Sequence, residues 1–210
     1  ADRLAAISSR LILRQGKALD VIRAVVAQTG AAAVYWTRLY DPNSIQRDAR
    51  IKNALIEEGV DARSFGGHLM FEPWTVETKA GGYYKVYTPF WNAVKNRGVG
   101  APVGGPAALT QPATWPDSDD IAQWKMGAAM QRGARIVRPF VQLGEDAAQA
   151  RLEKFIAHGI AEYRRNRDLP GVDGTSNLSE NLALGEISPR QCWHAGQRAL
   201  NEGKSGAETF

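Results

Sequence analysis

The 210-residue chain contains little cysteine and histidine: Cys192 is its single cysteine, and its three histidines are His68, His158 and His194. A single cysteine excludes an internal disulfide framework and fits a reducing compartment, so we expect a cytoplasmic protein. The histidines lie far apart in sequence and lack the short spacings of metal ligands, so no structural zinc site or other metal is expected.

Long apolar runs and a targeting segment are also missing. The longest apolar candidate, residues 21–35, is interrupted by Arg23 and Gln28, and it falls short of the ~20 apolar residues that a membrane span requires. No signal peptide follows Ala1, and we expect no membrane partner. Because the chain does not begin with methionine, we expect it to be a piece of a longer protein.

A strong excess of either charge is absent as well. Lys and Arg number 26 against 22 Asp and Glu, and the resulting net charge of +4 gives only a mild preference for polyanions. With 44% hydrophobic residues the chain has enough apolar material for the core of one domain or two small ones, which excludes global disorder.

The first 95 residues alternate between strand-like and helix-like patterns. Short apolar runs at residues 10–14, 31–36, 63–65 and 69–71 predict strands, and the spacing of apolar side chains predicts helices from Ala18 to Thr29 and from about Pro42 to Gly59. Alternating strands and helices predict an α/β fold with part of a Rossmann-like parallel sheet. A further helix is predicted around residues 84–95.

The rest of the chain changes character twice. Residues 96–144 are rich in glycine and proline without periodicity, which is typical of a linker. From Glu145 an apolar stripe at helical spacing predicts a helix that extends beyond Tyr163. Ser188 followed by proline, with Gln191 three positions on, predicts a capping box at the start of another helix. The polar residues 203–210 are predicted to fray.

Most short catalytic motifs are missing. Neither the glycine-rich dinucleotide fingerprint nor the serine-hydrolase elbow occurs. The segment Gly203-Lys204-Ser205 ends like a P-loop, but Arg198 stands where that loop needs its first glycine, so we interpret the match as accidental.

The segment Gly174–Ser179 is unusual because it places three hydroxyl residues, Thr175, Ser176 and Ser179, before a predicted short helix at residues 180–184. Hydroxyls and free backbone N–H groups at a helix start suit an anion such as phosphate. Serine and threonine are also the commonest helix caps, so local physics leaves both a plain cap and a phosphate site open.

Several motifs occur in a fixed order and spacing over almost the whole chain. They are residues 84–91 (YKVYTPFW), Glu162-Tyr163, Arg167-Asp168, residues 174–179 (GTSNLS), residues 182–185 (LALG) and residues 187–191 (ISPRQ). Together they resemble the DNA photolyase/cryptochrome family, most closely its class I cyclobutane pyrimidine dimer photolyases. The resemblance implies the last part of an α/β antenna domain at residues 1–95, an interdomain linker at 96–144, and the first helices of an all-α FAD-binding domain at 145–210.

The resemblance also implies roles for individual residues. Arg167 matches a position that contacts the DNA phosphate backbone, although the residue by itself is typical of a solvated charge or of a partner for a carboxylate such as Asp168 or Asp173. Asn43 matches a residue used for a folate antenna, but Ser44 replaces a glutamate, so folate and deazaflavin antennas both stay open. Positions that bind FAD, chiefly around its pyrophosphate, are matched by Tyr163, Thr175, Ser176, Asn177, Leu178 and Ser179, with Asn177 at a position where the family often has arginine.

The activity implied by the resemblance is light-driven DNA repair. Such an enzyme, a deoxyribodipyrimidine photolyase and carbon–carbon lyase, splits cyclobutane pyrimidine dimers in UV-damaged DNA by electron transfer from photoexcited reduced flavin; the alternative is a cryptochrome-like blue-light photoreceptor. We expect the full-length protein to be a monomer. The chain stops before the family's dimer pocket and tryptophan relay, so we assign no catalytic residue, expect an incomplete, inactive fragment, and interpret Trp193 as a packing residue.

Overall fold

A computed structural model describes residues 2–210, which form two compact units. The first unit comprises the residues up to Phe65 together with Gly104–Phe140, and the second comprises Gly66–Val103 and Val141–Phe210. Residues 66–95 therefore cluster with the C-terminal helices. The division at 95/96 and 144/145 into antenna part, linker and flavin-domain start stays a prediction.

The regular elements are mostly helices, with two strands near the N-terminus. The strands are β1 (Ala33–Thr37) and β2 (Asp61–Phe65). The α-helices are α1 (Asp2–Ala6), α2 (Ala18–Thr29), α3 (Pro42–Glu57), α4 (Tyr87–Val94), α5 (Arg132–Val137), α6 (Glu145–Lys154), α7 (Tyr163–Asn166), α8 (Ser179–Leu184) and α9 (Pro189–Asn201). No helix among residues 2–210 has both the length and the apolarity of a membrane span.

A parallel pair of strands organises the first unit and confirms the predicted fold class. Ala33 lies opposite Asp61 and Thr37 opposite Phe65, with α3 as the crossover between β1 and β2. The core beneath the sheet contains Leu55, which is fully buried. The side chains packed around it come from both strands and from α2 and α3: Leu19, Ile22, Val34, Trp36, Ile51, Val60 and Ala62.

Local signals fix the ends of the two long helices in this unit. Gly30 ends α2 in the left-handed conformation at φ 66°, and its N–H donates to the Val26 carbonyl. Asp41 caps α3, because its carboxylate accepts from the Ser44 N–H at 2.9 Å. The hydrogen bonds from Ser44 also hold the pKa of the Asp41 carboxyl below its ordinary value.

The strand predicted at residues 10–14 is wrong. This segment is extended but pairs with a loop: the Leu13 N–H donates to the Ser118 hydroxyl at 2.9 Å, and the Leu13 carbonyl accepts from the Asp119 N–H at 2.7 Å. The predicted strand at 69–71 is also wrong, since that segment lies in bends. An apolar run shows that a segment is buried or extended, whereas a strand also requires a neighbouring strand to accept its hydrogen bonds.

The glycine- and proline-rich part of the first unit has no regular structure between residues 104 and 120. Short 3₁₀ turns at Ile121–Trp124, Ala128–Met130 and Arg138–Phe140 follow, with α5 between the last two. The Arg10 guanidinium holds this part, since it lies 4.8 Å from the centroid of the Trp115 ring and donates to the Pro116 carbonyl at 3.2 Å.

In the second unit, α6 continues without a break through a π-helical turn (Phe155–Gly159) and a 3₁₀ turn (Ile160–Glu162) into α7. Two adjoining clusters of buried side chains form its core. The first contains Ala148, Leu152, Leu178, Ile187 and Ala195, and the second contains Phe155, Ile160, Ala199 and Ala207.

The predicted fraying of residues 203–210 is wrong. Gly206 and Ala207 are buried, and the Phe210 ring packs against the rings of Phe155 and Tyr163 at centroid distances of 4.8 and 5.7 Å. The polar composition of the segment does not reveal these contacts, because the partners of Phe210 lie about 50 residues earlier in the sequence.

The capping box at the start of α9 is confirmed. The Ser188 hydroxyl accepts from the Gln191 N–H at 3.2 Å, and the Gln191 side chain accepts from the Ser188 N–H at 2.8 Å. We expect Ser188→Ala to lower the free energy of unfolding by about 1 kcal/mol, because it removes the cap. Urea unfolding followed by circular dichroism measures this change, and unaltered stability would contradict it.

Candidate functional site

The segment Gly174–Ser179 lies against the end of α7. Gly174 is buried, and a Cβ built on it would lie 2.4 Å from the Asn166 Cβ and 2.9 Å from the Asn166 carbonyl carbon. Only glycine permits this close approach. The hydroxyl-rich segment is thereby brought next to the short helix that begins with Tyr163.

A chain of side-chain hydrogen bonds shapes the turn before α8. The Thr175 hydroxyl donates to the Asn177 side-chain oxygen at 3.0 Å, and the Asn177 amide donates to the Asp173 carboxylate at 2.6 Å. Asn177 has a φ of 53°, in the left-handed region that asparagine tolerates better than most residues. Asn177 therefore supports the turn from within the segment.

The hydroxyls of this segment do not cap the helix that follows. Leu178 occupies the N-cap position of α8 and makes no side-chain cap bond, so the plain-cap interpretation is contradicted. Within residues 2–210, the Ser176 and Ser179 hydroxyls form no hydrogen bond. Thr175, Asn177 and Ser179 are exposed and Ser176 is half-buried, whereas Leu178 is buried in the core.

Arg151 of α6 binds the segment Gly174–Ser179 and the start of α8 through hydrogen bonds. The sequence did not indicate this role. Its Nη1 lies 2.5 Å from the Asn177 carbonyl oxygen, 2.8 Å from a Glu180 carboxylate oxygen and 2.9 Å from the Asn181 side-chain oxygen. The Arg151 hydrogen bond lowers the pKa of the Glu180 carboxyl below its ordinary value.

Asn181 extends this network into the core. It is fully buried, and its amide donates to the Gln142 carbonyl at 3.0 Å and to the Glu186 carboxylate at 2.8 Å. Glu186 in turn accepts from the Gly144 N–H at 2.7 Å. The start of α6 is thus bonded to both ends of α8. Apart from Asn181 and Glu186, which are five residues apart, the partners lie 26–42 residues apart, so no local sequence pattern could have revealed them.

Tyr163 and Arg167 form a stacked pair one helical turn apart. The Arg167 guanidinium lies 5.6 Å from the centroid of the Tyr163 ring, and Arg167 Nε lies 3.6 Å from the Asp168 carboxylate. On its other side the Tyr163 ring meets Phe155 edge-on at 5.5 Å. Tyr163 is thus a half-buried member of the aromatic core, and Arg167 is exposed.

Asn43 and Ser44, the candidate antenna residues, occupy the first turn of α3 in the other unit. Ser44 is buried, and its N–H is bonded to the capping Asp41. Asn43 is exposed.

A cleft of about 250 Å³ lies between α6 and α9 within the second unit. Its lining includes the apolar residues Leu152, Ile156 and Ala199 and the charged residues Glu153 and Arg198. No predicted cofactor residue lines this cleft. The part of the chain covered by the structure contains no group of three or more metal-binding side chains.

Comparison with known proteins decides the family. The family model "DNA photolyase" matches residues 1–111, which is more than half of the chain. The chain belongs to the DNA photolyase family. A deoxyribodipyrimidine photo-lyase of Agrobacterium fabrum is 40% identical over 200 residues, which cover 91% of this chain and 42% of that protein. Cryptochrome-1 of Arabidopsis thaliana is 30% identical over 81% of this chain and 25% of its own length.

Solved structures agree with this assignment. A bacterial class III photolyase from Agrobacterium tumefaciens superposes with a TM-score of 0.88 at 38% identity, over 93% of this chain and 41% of that one. A cryptochrome from Synechocystis has a TM-score of 0.78 at 20% identity, which shows the shared fold alone. The chain spans less than half of the length of these photolyase relatives.

The donor set of residues 174–179 fits the diphosphate of the FAD that the family resemblance implies. The Ser176 and Ser179 hydroxyls have no partner among residues 2–210, and they adjoin the first turn of α8. The two nearest carboxylates are already bonded, Asp173 by the Asn177 amide and Glu180 by Arg151, which reduces their repulsion of an anion. These residues offer an open binding surface, and Tyr163 supplies a ring on the adjoining helix.

Proposed function

We propose that this chain serves in an FAD-dependent photolyase that repairs cyclobutane pyrimidine dimers in UV-damaged DNA under blue light. The observation that carries the proposal is the family match, together with a relative named deoxyribodipyrimidine photo-lyase at 40% identity. The uncommitted hydroxyls of Ser176 and Ser179 support it independently, because structural caps would be bonded to the helix backbone.

In this proposal the segment beside α7 holds the cofactor. Ser176 and Ser179 donate hydrogen bonds to the FAD diphosphate, and Asn177 and Leu178 fix the backbone between them. Thr175 supports this turn through its hydrogen bond to the Asn177 side chain, and it contacts the diphosphate only if that bond is exchanged. Tyr163 borders the site. When bound, FAD supplies the absorption of blue light and the electron that splits the dimer. The protein residues contribute binding and orientation.

Arg167 is the proposed contact to the DNA backbone. Its pair with Asp168 is long, at 3.6 Å, and exposed, so it is worth little energy and leaves the guanidinium available to a phosphate. Stacking on Tyr163 fixes the direction of the side chain. Of the two antenna candidates, only the Asn43 side chain is exposed to solvent and therefore available to bind a folate or deazaflavin chromophore. Ser44 is buried at the start of α3.

A blue-light photoreceptor is the second candidate, because Cryptochrome-1 and Cryptochrome-2 of Arabidopsis thaliana are among the relatives. The photolyases among them reach 40% identity against 30% and 28% for these two cryptochromes, which favours repair. Repair of thymine dimers in illuminated oligonucleotides by the full-length protein separates the two functions.

The cofactor site is tested by replacing all three hydroxyl residues, Thr175→Ala, Ser176→Ala and Ser179→Ala. We expect the 210-residue chain to bind FAD weakly and the triple variant to bind it at least about tenfold more weakly, since two hydrogen bonds to an anion are lost together with the Thr175–Asn177 bond that shapes the turn. Isothermal titration with FAD, and with ADP as the diphosphate-bearing half, measures both affinities.

A matched control replaces three exposed hydroxyl residues elsewhere: Thr110→Ala, Thr114→Ala and Ser205→Ala. This variant should bind FAD as the unmodified chain does. An FAD affinity that is equal in the site variant and the control would contradict the proposed diphosphate contacts.

A further inference from the structure

Positive charge is concentrated in one part of the second unit. Residues 78–103 contain no Asp or Glu, and their charged residues are Lys79, Lys85, Lys95 and Arg97. Elsewhere in the chain 22 basic residues balance 22 acidic residues, so this stretch alone accounts for the net charge of +4. A cluster of one sign without counter-charges attracts a polyanion.

The backbone of this stretch begins with a tight turn. Gly81 and Gly82 have φ values of 83° and 79°, and the Thr78 N–H donates to the Gly82 carbonyl at 2.9 Å. The turn places Lys79 at its tip. Val86, with extended backbone angles of φ −129° and ψ 137°, immediately precedes α4.

Two tyrosines project from the same segment into solvent. Tyr83 is 75% exposed and Tyr87 is 70% exposed, values that are high for side chains of this size. The Tyr87 ring lies parallel to the Trp91 ring, with a centroid distance of 6.4 Å and an interplanar angle of 6°. Trp91 is supported in turn by an edge contact with Trp193 at 6.1 Å. The Tyr87 ring therefore has an aromatic neighbour on one side and remains largely exposed to solvent.

The three lysines of this stretch are not neutralised. Lys79, Lys85 and Lys95 are exposed, and none of them forms an ion pair with any residue between 2 and 210. Arg97 is already engaged, because it donates to the Thr75 carbonyl at 2.8 Å and lies 5.1 Å from the Phe71 ring centroid. The three lysines are thus the charges available to a ligand.

We propose that Tyr83, Tyr87, Lys79, Lys85 and Lys95 form a binding surface for single-stranded DNA. Lysine ammonium groups bind the phosphates, and the exposed tyrosine rings stack on unpaired bases, the combination by which proteins bind single strands without sequence preference. An acidic peptide would satisfy the lysines but leave the two rings without partners. The surface goes beyond the proposed function, since it requires no flavin, lesion or light.

The lysines are tested with the full 210-residue chain and a fluorescein-labelled, undamaged oligothymidylate of about 12 nucleotides, a length typical of such sites. Fluorescence anisotropy in the dark gives the dissociation constant at several salt concentrations. We expect Lys79→Gln, Lys85→Gln and Lys95→Gln together to weaken binding at least about tenfold. The slope of log affinity against log salt should fall by about 2, since each phosphate contact contributes about 0.7.

The matched control removes the same charge from exposed lysines of the other unit, Lys17→Gln, Lys52→Gln and Lys125→Gln. It should change the affinity by less than about twofold. An equal loss in both triple variants would overturn the proposal, because binding would then follow net charge alone.

The tyrosines are tested by Tyr83→Ala with Tyr87→Ala, which should weaken binding at least about tenfold, whereas Tyr83→Phe with Tyr87→Phe should keep it within about twofold because the rings remain. Tyr83→Ala alone should still weaken binding severalfold. This single variant removes no aromatic contact within the protein, because the Tyr83 ring contacts no other ring in residues 2–210. If the phenylalanine pair binds as poorly as the alanine pair, or if polyglutamate or duplex DNA competes as well as the oligothymidylate, the proposal is overturned.

Discussion

Gly206→Ala is expected to lower the free energy of unfolding of the second unit by about 3 kcal/mol. A Cβ at this position would lie 2.0 Å from the Ile160 carbonyl oxygen and 3.0 Å from the Ile160 carbonyl carbon. Both are backbone atoms of a helical turn, so no side-chain rotation relieves the clash. The residue also has a φ of 82°, which disfavours any side chain. Moving the chain away from Ile160 would withdraw Ala207 and Phe210 from the core.

Gly203→Ala is the matched control for this change. Gly203 has a similar φ of 72°, but nothing lies within 4 Å of a Cβ built there. Its replacement should cost only the conformational penalty of about 1 kcal/mol. Urea unfolding of both variants separates the two contributions to the loss of unfolding free energy, the steric clash and the unfavourable φ angle. Equal losses in the two variants would show that the C-terminal segment is not packed against the turn at Ile160.

Residues that fix local structure made much of the fold predictable. Gly30 ends α2, Asp41 caps α3, and Ser188 with Gln191 starts α9, each by hydrogen bonds that span four residues or fewer. Because these signals involve neighbours in sequence, they are present before any tertiary structure forms. The helices that they delimit were predicted to within a few residues.

Features that depend on distant partners were not predictable. Residues 10–14 have the composition of a strand, but the backbone of Leu13 is bonded to residues 118 and 119. Residues 203–210 have the composition of a frayed end, but Phe210 packs on Phe155 and Tyr163. In both cases the deciding interaction joins segments that are tens of residues apart, and composition contains no information about such pairings.

The candidate site falls between these two cases. The hydroxyl run at Thr175, Ser176 and Ser179 is visible in the sequence, but its interpretation required the position of the helix start. Because α8 begins at Ser179 with Leu178 as its N-cap residue, the Ser176 and Ser179 hydroxyls are left without a structural role, whereas the Thr175 hydroxyl is bonded to Asn177. The support beneath them, from Arg151 and Asn181, depends on long-range hydrogen bonds and became visible only in the structure.

Arg151→Met is expected to lower the free energy of unfolding by about 2–4 kcal/mol, because it leaves polar groups unpaired in a largely buried place. The arginine side chain is only 14% exposed, and the fully buried Asn181 would lose the donor to its side-chain oxygen. Methionine keeps most of the apolar stem, so the loss reports the guanidinium contacts. Because the Asn177 carbonyl is also released, FAD binding by the 210-residue chain should weaken along with stability.

The effect of Arg151→Met should also depend on pH, and an exposed arginine provides the comparison. Arg151 holds the pKa of Glu180 below its ordinary value of 4.5, so the ionised carboxylate stabilises the folded state above pH 4.5. That contribution is lost as pH falls through the lowered pKa of Glu180. The difference in unfolding free energy between the variant and the unmodified chain should therefore become smaller at low pH.

Arg165→Met removes an exposed arginine that pairs with Glu162 at 2.6 Å, and it should lower the free energy of unfolding by less than about 0.5 kcal/mol. If Arg151→Met cost no more than Arg165→Met, Arg151 could not be what holds α8 against α6.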